Sequence, residues 1–409
     1  MNFPANFPTD LSADEQALAR GRLADLGEQL AQKGSLRTPA WREVFERTWR
    51  HPYVPCFYPD KDTAPVMCIG ERARWLDAVY SDTTLITKLV TVALSRALRP
   101  ATGTAYVSSS TLPSLVMSML EDLDVTDGHR VLEIGTGTGY NAALLCERLG
   151  SANVTSVDID PELVDLAGER LAANGHTPTL ATVDGDGGHP DGAPYDRIIS
   201  TCAVPAIPAA WLRQAAPGAV ILTDVHGPLG GTLVRLTVDE HGTATGRFAS
   251  RWAGFMDMRH DVTPVTEPWT WYAGTTSESW TSVDPMAVNN HGLFGFIAQW
   301  HLPDVTQGRM TDPDGPAVFL MDRDGNRAEV LTTATSQGYR VRQYGDRRVW
   351  DQIEQAAEFW NAEGRPSYER FGITATADEQ YVWYDDPHGT HHWPLAPVGH
   401  RHPRRPTMT

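Results

Sequence analysis

The first stretch of the chain has apolar residues at helical spacing. In "LSADEQALARGRLADLGEQLAQKG" leucines recur every three to five positions, after a predicted capping box of Ser12 and Glu15. A second helix is predicted in "PAWREVFERTW", because Pro39 suits the first turn of a helix. Residues 1–80 are therefore predicted to form an N-terminal helical segment.

The pattern changes in residues 81–250, where short apolar runs alternate with amphipathic segments. The runs "RVLEIG", "ANVTSVDID", "TPTLATVDGD" and "YDRIISTCA" indicate strands, and "YNAALLCERL" and "PELVDLAGERLAANG" indicate helices. "PAAWLRQAAPGAVILTDV" indicates a helix followed by a strand. Strands that alternate with helices of this length predict a parallel, doubly wound α/β sheet.

After about residue 251 the alternation stops. This part holds nine of the 13 tryptophans. It includes a predicted hairpin turn "DRDGN" (322–326), a predicted helix "RRVWDQIEQAAEFWNAEG" that Gly364 ends, and a predicted hairpin in "FGITATADEQYVWY". Residues 251–409 are predicted to be a separate, tryptophan-rich α+β domain.

Composition excludes several classes of function. The formal net charge of -17 argues against a nucleic-acid-binding surface, which needs a basic stripe. No apolar stretch approaches the length that spans a bilayer, and the N-terminus lacks the pattern of a signal peptide. The four cysteines form no Cys-x-x-Cys pair, so a zinc site is not expected. We expect a cytoplasmic protein without a nucleic-acid, membrane or metal partner.

The stretch "VLEIGTGTGY" (131–140) places Gly135, Gly137 and Gly139 between a strand and a helix. Such a loop fits dinucleotide sites and S-adenosylmethionine sites. Glu133 lies at the end of the strand, just before the glycines. A carboxylate there suits the ammonium group of S-adenosylmethionine, directly or through water, whereas a dinucleotide would bring a pyrophosphate to the helix N-terminus.

Acidic residues also follow the next two predicted strands. Asp158 lies in "SVDID" (156–160) at the C-terminal tip of the predicted strand, where its carboxylate can accept hydrogen bonds from both ribose hydroxyls. Asp186 lies between Gly185 and Gly187, where it can accept from an adenine amino group. Because ligands of open α/β sheets bind at the carboxyl ends of the strands, these residues together favour S-adenosylmethionine over three ordinary tight turns.

Five motifs then resemble one family. "RHPYVP" (50–55), "VYSD" (79–82), "VLEIGTGTGYNAALL", "GDG" (185–187) and "YDRIISTCA" (195–203) are similar to motifs of the protein L-isoaspartate O-methyltransferase family, over about residues 36–225. The resemblance implies a Rossmann-like, doubly wound S-adenosylmethionine-dependent methyltransferase sheet with N-terminal helices and a C-terminal α+β accessory domain. With the strand-end argument, it predicts these cofactor-binding residues: Glu133, Gly135, Thr136, Gly137, Gly139, Tyr140, Asn141, Asp158, Ile159, Gly185, Asp186 and Gly187.

The stretch "SSSTLPS" (108–114) matches the family's acceptor segment Q-T-I-S-A-P-H, whose serine faces the substrate carboxylate. Aligned on the shared proline, Thr111 takes the place of that serine, and Ser114 replaces the histidine. The resemblance implies that Thr111 donates to the acceptor carboxylate, with Ser110 or Ser109 as a second donor. Hydroxyls before a helix also serve as caps, so we expect one hydroxyl of residues 108–111, the hydroxyl run, to cap the helix that follows.

The tryptophan-rich tail, with its stretch "AEGRPSYERFG" (362–372), resembles that of long actinobacterial members of the family. Those members are associated with ribosomally synthesised, modified peptides of the lanthipeptide, graspetide or lasso-peptide type. The resemblance implies methylation of an aspartate side chain in a cyclised peptide, with collapse of the ester to aspartimide and, on hydrolysis, isoaspartate.

A carboxylate is already ionised at neutral pH, so methylation needs positioning more than a general base. Three other functions stay open at this point: repair of isoaspartyl proteins, precursor recognition by a catalytically silent S-adenosylmethionine-binding module, and methylation of a small molecule.

Overall fold

The computed structural model describes residues 9–94, 101–250, 253–262, 277–290 and 292–395. The α-helices in these ranges are α1 (Ala13–Gln32), α2 (Pro39–Arg47), α3 (Arg72–Val79), α4 (Pro113–Asp122), α5 (Tyr140–Leu149), α6 (Pro161–Ala173), α7 (Ala209–Gln214), α8 (Pro285–Asn289), α9 (Leu293–His301) and α10 (Val349–Ala362). The strands are β1 (Cys56–Phe57), β2 (Val66–Met67), β3 (Leu85–Leu94), β4 (Ala101–Ser110), β5 (Val131–Ile134), β6 (Val154–Asp158), β7 (Thr179–Thr182), β8 (Tyr195–Val204), β9 (Ala215–Gly227), β10 (Gly230–Val238), β11 (Ala244–Phe248), β12 (Ser277–Thr281), β13 (Thr306–Asp312), β14 (Gly315–Met321), β15 (Arg327–Leu331), β16 (Tyr339–Tyr344), β17 (Phe371–Ala375), β18 (Gln380–Tyr384) and β19 (His392–Leu395).

The two predicted N-terminal helices are confirmed. The capping box of α1 forms, because the Ser12 side chain accepts from the Glu15 backbone and the Glu15 carboxylate accepts from the Ser12 N–H at 2.9 Å. Pro39 opens α2 after Thr38, whose side chain caps that helix. Buried residues of both helices belong to one apolar cluster, which also includes residues of α4 and α5.

A ten-stranded sheet forms the centre of the fold, in the order β19-β18-β17-β11-β10-β9-β8-β5-β6-β7. Within this sheet the five strands β9, β8, β5, β6 and β7 pair in parallel with one another. The chain runs from β5 through β6 to β7 on one side and continues with β8 and β9 on the other side of β5. This reversal of strand order confirms the predicted doubly wound α/β fold, and it marks the carboxyl end of β5 as the expected ligand crevice.

The other half of the sheet is antiparallel and crosses the domain boundary predicted at residue 251. Strand β11 pairs with β17 of the tail, with Ala244 opposite Ala375, and β18 and β19 extend the sheet further. The tail also builds a separate antiparallel sheet in the order β12-β16-β15-β14-β13. The predicted hairpins at residues 322–326 and between β17 and β18 are confirmed, as is helix α10.

Aromatic residues of the tail contribute to the core. Phe296 of α9 packs against Phe248 of β11 and Phe371 of β17, with ring centroids 4.9 and 5.3 Å apart. Trp300 and Trp350 are also buried. The alternation Trp269-Thr270-Trp271 in the sequence predicts two indoles on one strand face, and these residues lie outside the part of the chain that the structure describes. None of the helices in the described ranges has the length and apolar character that a bilayer crossing requires.

Candidate functional site

A cavity of about 270 Å³ lies at the carboxyl ends of β5, β6 and β8. One part of its wall is the glycine loop between β5 and α5, and another part is the hydroxyl run with strand β4, which carries it. Thr201 and Cys202 of β8 and residues 254–256 also line it. The cavity therefore occupies the crevice that the strand order predicts.

The conformation and the close contacts of the glycine loop leave little room for side chains. Gly135, Gly137 and Gly139 have φ values of 98°, 52° and 87°, which favour glycine. A Cβ atom on Gly135 would lie 2.6 Å from Thr201 Oγ1, and one on Gly139 would lie 3.1 Å from Ala167 Cβ. These glycines thus let the loop approach β8 on one side and α6 on the other.

Glu133 is fully buried behind this loop rather than on the cavity wall. Its carboxylate accepts hydrogen bonds from Asn141 Nδ2 at 2.7 Å and from Ser156 Oγ at 2.5 Å. Burial raises the pKa of Glu133 to about 7, although both hydrogen bonds favour the ionised form. Asn141 does line the cavity, so it connects the Glu133 carboxylate to the site.

Asp158 lines the cavity at the end of β6. Its Oδ2 accepts from the Gly137 N–H at 3.0 Å, and its Oδ1 accepts from the Asp160 N–H at 3.1 Å. Burial raises the pKa of Asp158, while the two backbone donors oppose that shift. The carboxylate is therefore held in one orientation beside the glycine loop.

The structure brings nine of the predicted site residues to the cavity wall: Ser109, Ser110, Thr111, Gly135, Thr136, Gly137, Tyr140, Asn141 and Asp158. Six others do not line it: Glu133, Gly139, Ile159, Gly185, Asp186 and Gly187. The last three form a short helical turn after β7, where the Asp186 N–H donates to Asp184 Oδ1 at 3.0 Å. The role of Asp186 in binding adenine stays a prediction.

The hydroxyl run is extended through Ser110, and helix α4 begins at Pro113. The N-cap position falls on Leu112, which makes no side-chain cap, so the expectation that a hydroxyl of the run caps this helix is wrong. The carboxylate of Asp82 takes that role, since its Oδ1 accepts from the Ser114 N–H at 2.8 Å. Pairing with β3 keeps Ser108, Ser109 and Ser110 in a strand, and Thr111, which follows the strand, lies on the cavity wall.

Arg50 is a buried residue of this region for which the sequence suggested no role. Its guanidinium donates to five backbone carbonyls over 2.9–3.2 Å, those of Val79, Ser81, Thr83, Ser110 and Thr111. It also donates to Ser110 Oγ at 3.1 Å, and burial lowers its pKa to about 10. Arg50 thus connects the loop before β3 to the hydroxyl run. The one sequence feature that drew attention to this arginine is its position in the motif "RHPYVP".

A second set of site residues that the sequence did not predict lies in residues 254–258, which we call the bridging segment. The N–H of Ala203 in β8 donates to the Met256 carbonyl at 2.9 Å, and the Met258 N–H donates to the Ala203 carbonyl at 2.8 Å. The Phe255 N–H donates to the buried Asp224 carboxylate at 2.9 Å. This segment closes the cavity beside β8, and no local pattern in the sequence predicted it.

Cys202 lies on the cavity wall, but burial raises its pKa to about 12. The thiol is therefore protonated at neutral pH and a poor nucleophile. Within the ranges that the structure describes, which include His388, His391 and His392, no group of three or more histidine, cysteine or acidic side chains is placed to hold a metal ion.

Comparison with known proteins agrees with this geometry. A solved structure titled protein-L-isoaspartate O-methyltransferase aligns with 89% of this chain and 100% of its own, with a TM-score of 0.50 and 19% identity, which supports the shared fold. A protein-L-isoaspartate O-methyltransferase of Methanosarcina mazei is 39% identical over 132 residues, 32% of this chain and 54% of the relative. One from Methanococcoides burtonii is 37% identical over 142 residues, 34% of this chain and 70% of the relative.

The matched region has clear limits. The chain spans about half the length of the first relatives that it matches, 54% of the Methanosarcina mazei protein and 55% of one from Ignicoccus hospitalis. The family model described as protein-L-isoaspartate (D-aspartate) O-methyltransferase matches residues 22–231, just over half of the 409 residues. That match includes the glycine loop and the hydroxyl run and ends before the bridging segment. The chain belongs to the protein-L-isoaspartate (D-aspartate) O-methyltransferase family.

Proposed function

We propose that the protein is an S-adenosylmethionine-dependent carboxyl O-methyltransferase that acts on a peptide. The observation that carries this proposal is that the glycine loop, Asp158 and the hydroxyl run line one and the same cavity. Its volume of about 270 Å³ is close to the lower end of small-molecule sites, on the order of 300 Å³. The polar groups that line the cavity also fit S-adenosylmethionine, which combines an amino-acid group, a ribose and an adenine.

Residues of the cavity wall and behind it would hold this cofactor. Asn141, whose Nδ2 is engaged by Glu133, keeps its Oδ1 as an acceptor for an ammonium group. Asp158 offers a fixed carboxylate for ribose hydroxyls. When bound, the cofactor supplies an electrophilic methyl group on a sulfonium.

The task of the chain is then to orient a carboxylate acceptor and to exclude water. An ionised acceptor needs no base, so its rate depends on how the attacking oxygen is held. Thr111 would donate to the other oxygen of that carboxylate, with Ser110 or Ser109 as a second donor. A neutral hydroxyl binds the ground state less strongly than a cation would, and so it costs less nucleophilicity.

For the acceptor itself we propose an aspartate side chain in a modified, cyclised ribosomal peptide, whose ester collapses to aspartimide. Two features support this choice. The hydroxyl run departs from the acceptor segment of the repair enzymes, with Thr111 in place of the serine and Ser114 in place of the histidine. The tryptophan-rich tail, through the bridging segment, also contributes to the cavity wall.

A second candidate is the repair of isoaspartyl proteins, which the comparisons favour at least as strongly. The relatives reported above carry the name of that activity, and the family model includes the whole of β3 and β4. In this case the acceptor would be the α-carboxylate of an isoaspartyl residue, and the tail would serve another purpose.

Mass spectrometry of acceptor peptides with S-adenosylmethionine separates these candidates. The three substrates are a macrocyclic peptide with one aspartate, its linear form, and a linear peptide with one isoaspartate. We expect a methyl ester on the macrocycle, followed by loss of methanol to give an aspartimide. Brisk esterification of the isoaspartyl peptide alone would establish repair instead. If cofactor binds and no peptide is methylated, a silent recognition module is the better description.

A further inference from the structure

Strands β3 and β4 form a two-stranded ribbon, the β3–β4 ribbon, that covers one side of the cavity. Ile86 lines the cavity from β3, and residues 106–110 line it from β4. A Cβ atom added to Gly137 of the glycine loop would lie 3.7 Å from Ser108 Oγ and 3.8 Å from the Ser109 carbonyl oxygen. The ribbon and the loop therefore meet closely over the place where the cofactor is proposed to bind.

Lys88 is the one charged residue in the sequence of these two strands. It lies opposite Ser108, and the strand pairing is irregular on both sides of it. Its Nζ is 2.7 Å from Asp160 Oδ2 and 2.7 Å from Glu162 Oε2. Asp160 and Glu162 belong to the start of α6, so this lysine joins the ribbon to the cofactor half of the site.

The environment makes this contact stronger than an ordinary surface ion pair. The side chain of Asp160 is only 2% exposed, whereas that of Glu162 is 48% exposed. Asp160 also caps α6, and its N–H donates to the Asp158 carboxylate. The connection therefore runs from the ribbon through Lys88 and Asp160 to Asp158, and from there to the Gly137 N–H.

We propose that Lys88 is a positioning residue whose ion pairs with Asp160 and Glu162 latch the β3–β4 ribbon over the cofactor and slow its release. This inference rests on the proposed function, because it assumes that the cavity holds S-adenosylmethionine or its demethylated product. Release of that product requires the ribbon and the glycine loop to part, and the latch opposes this separation.

The test measures the dissociation rate of S-adenosylhomocysteine from the full-length protein by stopped-flow competition. The Lys88→Met variant keeps the length of the side chain and removes its charge. We expect dissociation about tenfold faster, an effect between that of a surface ion pair and that of breaking a fully buried one. Lys88→Arg should restore a rate within about threefold of wild type. The exposed Lys61, changed to Met, is the matched control and should leave the rate unchanged.

Three further readouts separate a latch from a general loss of structure. The wild-type dissociation rate should rise with salt, and the rate of Lys88→Met should not. The KM for S-adenosylmethionine should rise while the KM for the peptide stays within about twofold. Should Lys88→Met fold poorly, Glu162→Gln removes the exposed half of the latch and should still accelerate release by about threefold.

The outcomes distinguish the two hypotheses. Unchanged release from both Lys88→Met and Glu162→Gln overturns the latch, and so does a wild-type rate that is independent of salt. Failure of the wild-type protein to bind S-adenosylhomocysteine at all overturns the proposed function instead.

Discussion

The raised pKa of the buried Glu133 carboxylate, which lies behind the glycine loop, can be tested by measuring protein stability alone. Its carboxylate is fully buried between Asn141 and Ser156, and burial raises its pKa from 4.5 to about 7. In the unfolded chain the same group titrates near its ordinary value. Between these two pKa values the unfolded chain ionises readily, whereas the folded protein must hold a proton or bury a charge.

The sign and size of the effect follow from this difference. A group whose pKa is raised by folding stabilises the fold below its unfolded pKa, and that contribution is lost as the pH rises to the folded pKa. A pKa difference of one corresponds to about 1.4 kcal/mol, so the interval from 4.5 to about 7 corresponds to about 3 kcal/mol. The Glu133→Gln variant removes this titration and retains groups that can hydrogen-bond to both neighbours.

We therefore expect the stability of Glu133→Gln, relative to wild type, to rise by about 3 kcal/mol between pH 4.5 and 7 and to level off above that range. Urea unfolding of the cofactor-free protein at several pH values measures this difference. The same substitution at the exposed Glu46 controls for the loss of one carboxylate. A relative stability that is flat across this range, or that falls, would refute the reasoning.

Three other predictions concern the acceptor half of the site and the tail. Thr111→Val should lower kcat by roughly tenfold to a hundredfold, because a hydrogen bond to a charged group is worth about 1.5–3 kcal/mol. Thr111→Ser should retain activity, and calorimetry should show that both variants still bind S-adenosylhomocysteine. Arg50→Lys should destabilise the protein by about 2–5 kcal/mol in urea unfolding, because three donors cannot satisfy five carbonyls, whereas Arg47→Lys at an exposed site should change stability little. A chain that ends at residue 250 should aggregate, as gel filtration would show, because it leaves the edge of β11 without its partner β17.

The sequence predicted those features that depend on neighbouring residues. The alternation of strands and helices in residues 81–250 and the position of the glycine loop are local patterns, and both are confirmed. The capping box of α1 is another such pattern, since Ser12 and Glu15 lie within one turn. Such patterns suffice for the class of fold and for the part of the cavity wall that the glycine loop forms.

The features that the sequence did not predict depend on pairing between distant segments. The hydroxyl run precedes a helix, and local statistics favour a cap there, but pairing with β3 keeps the run extended and leaves capping to Asp82. The role of Arg50 requires carbonyls from two segments that meet only in the folded protein. Likewise, Thr245 of β11 meets Thr374 of β17 across 129 positions of sequence.

The bridging segment indicates that the cavity and the tail form one structural unit. Pairing between β8 and β9 is irregular between Ile199 and Ala203, where β8 reaches the cavity. Both backbone groups of Ala203 are satisfied by Met256 and Met258, and the buried Asp224 of β9 holds Phe255. The chain thus leaves the main sheet at β11, completes the cavity wall, and returns through β17 to extend the same sheet. Because residues of the tail form part of the cavity wall and also the strands beside β11, a substitution that alters this part of the wall also affects the packing of the tail.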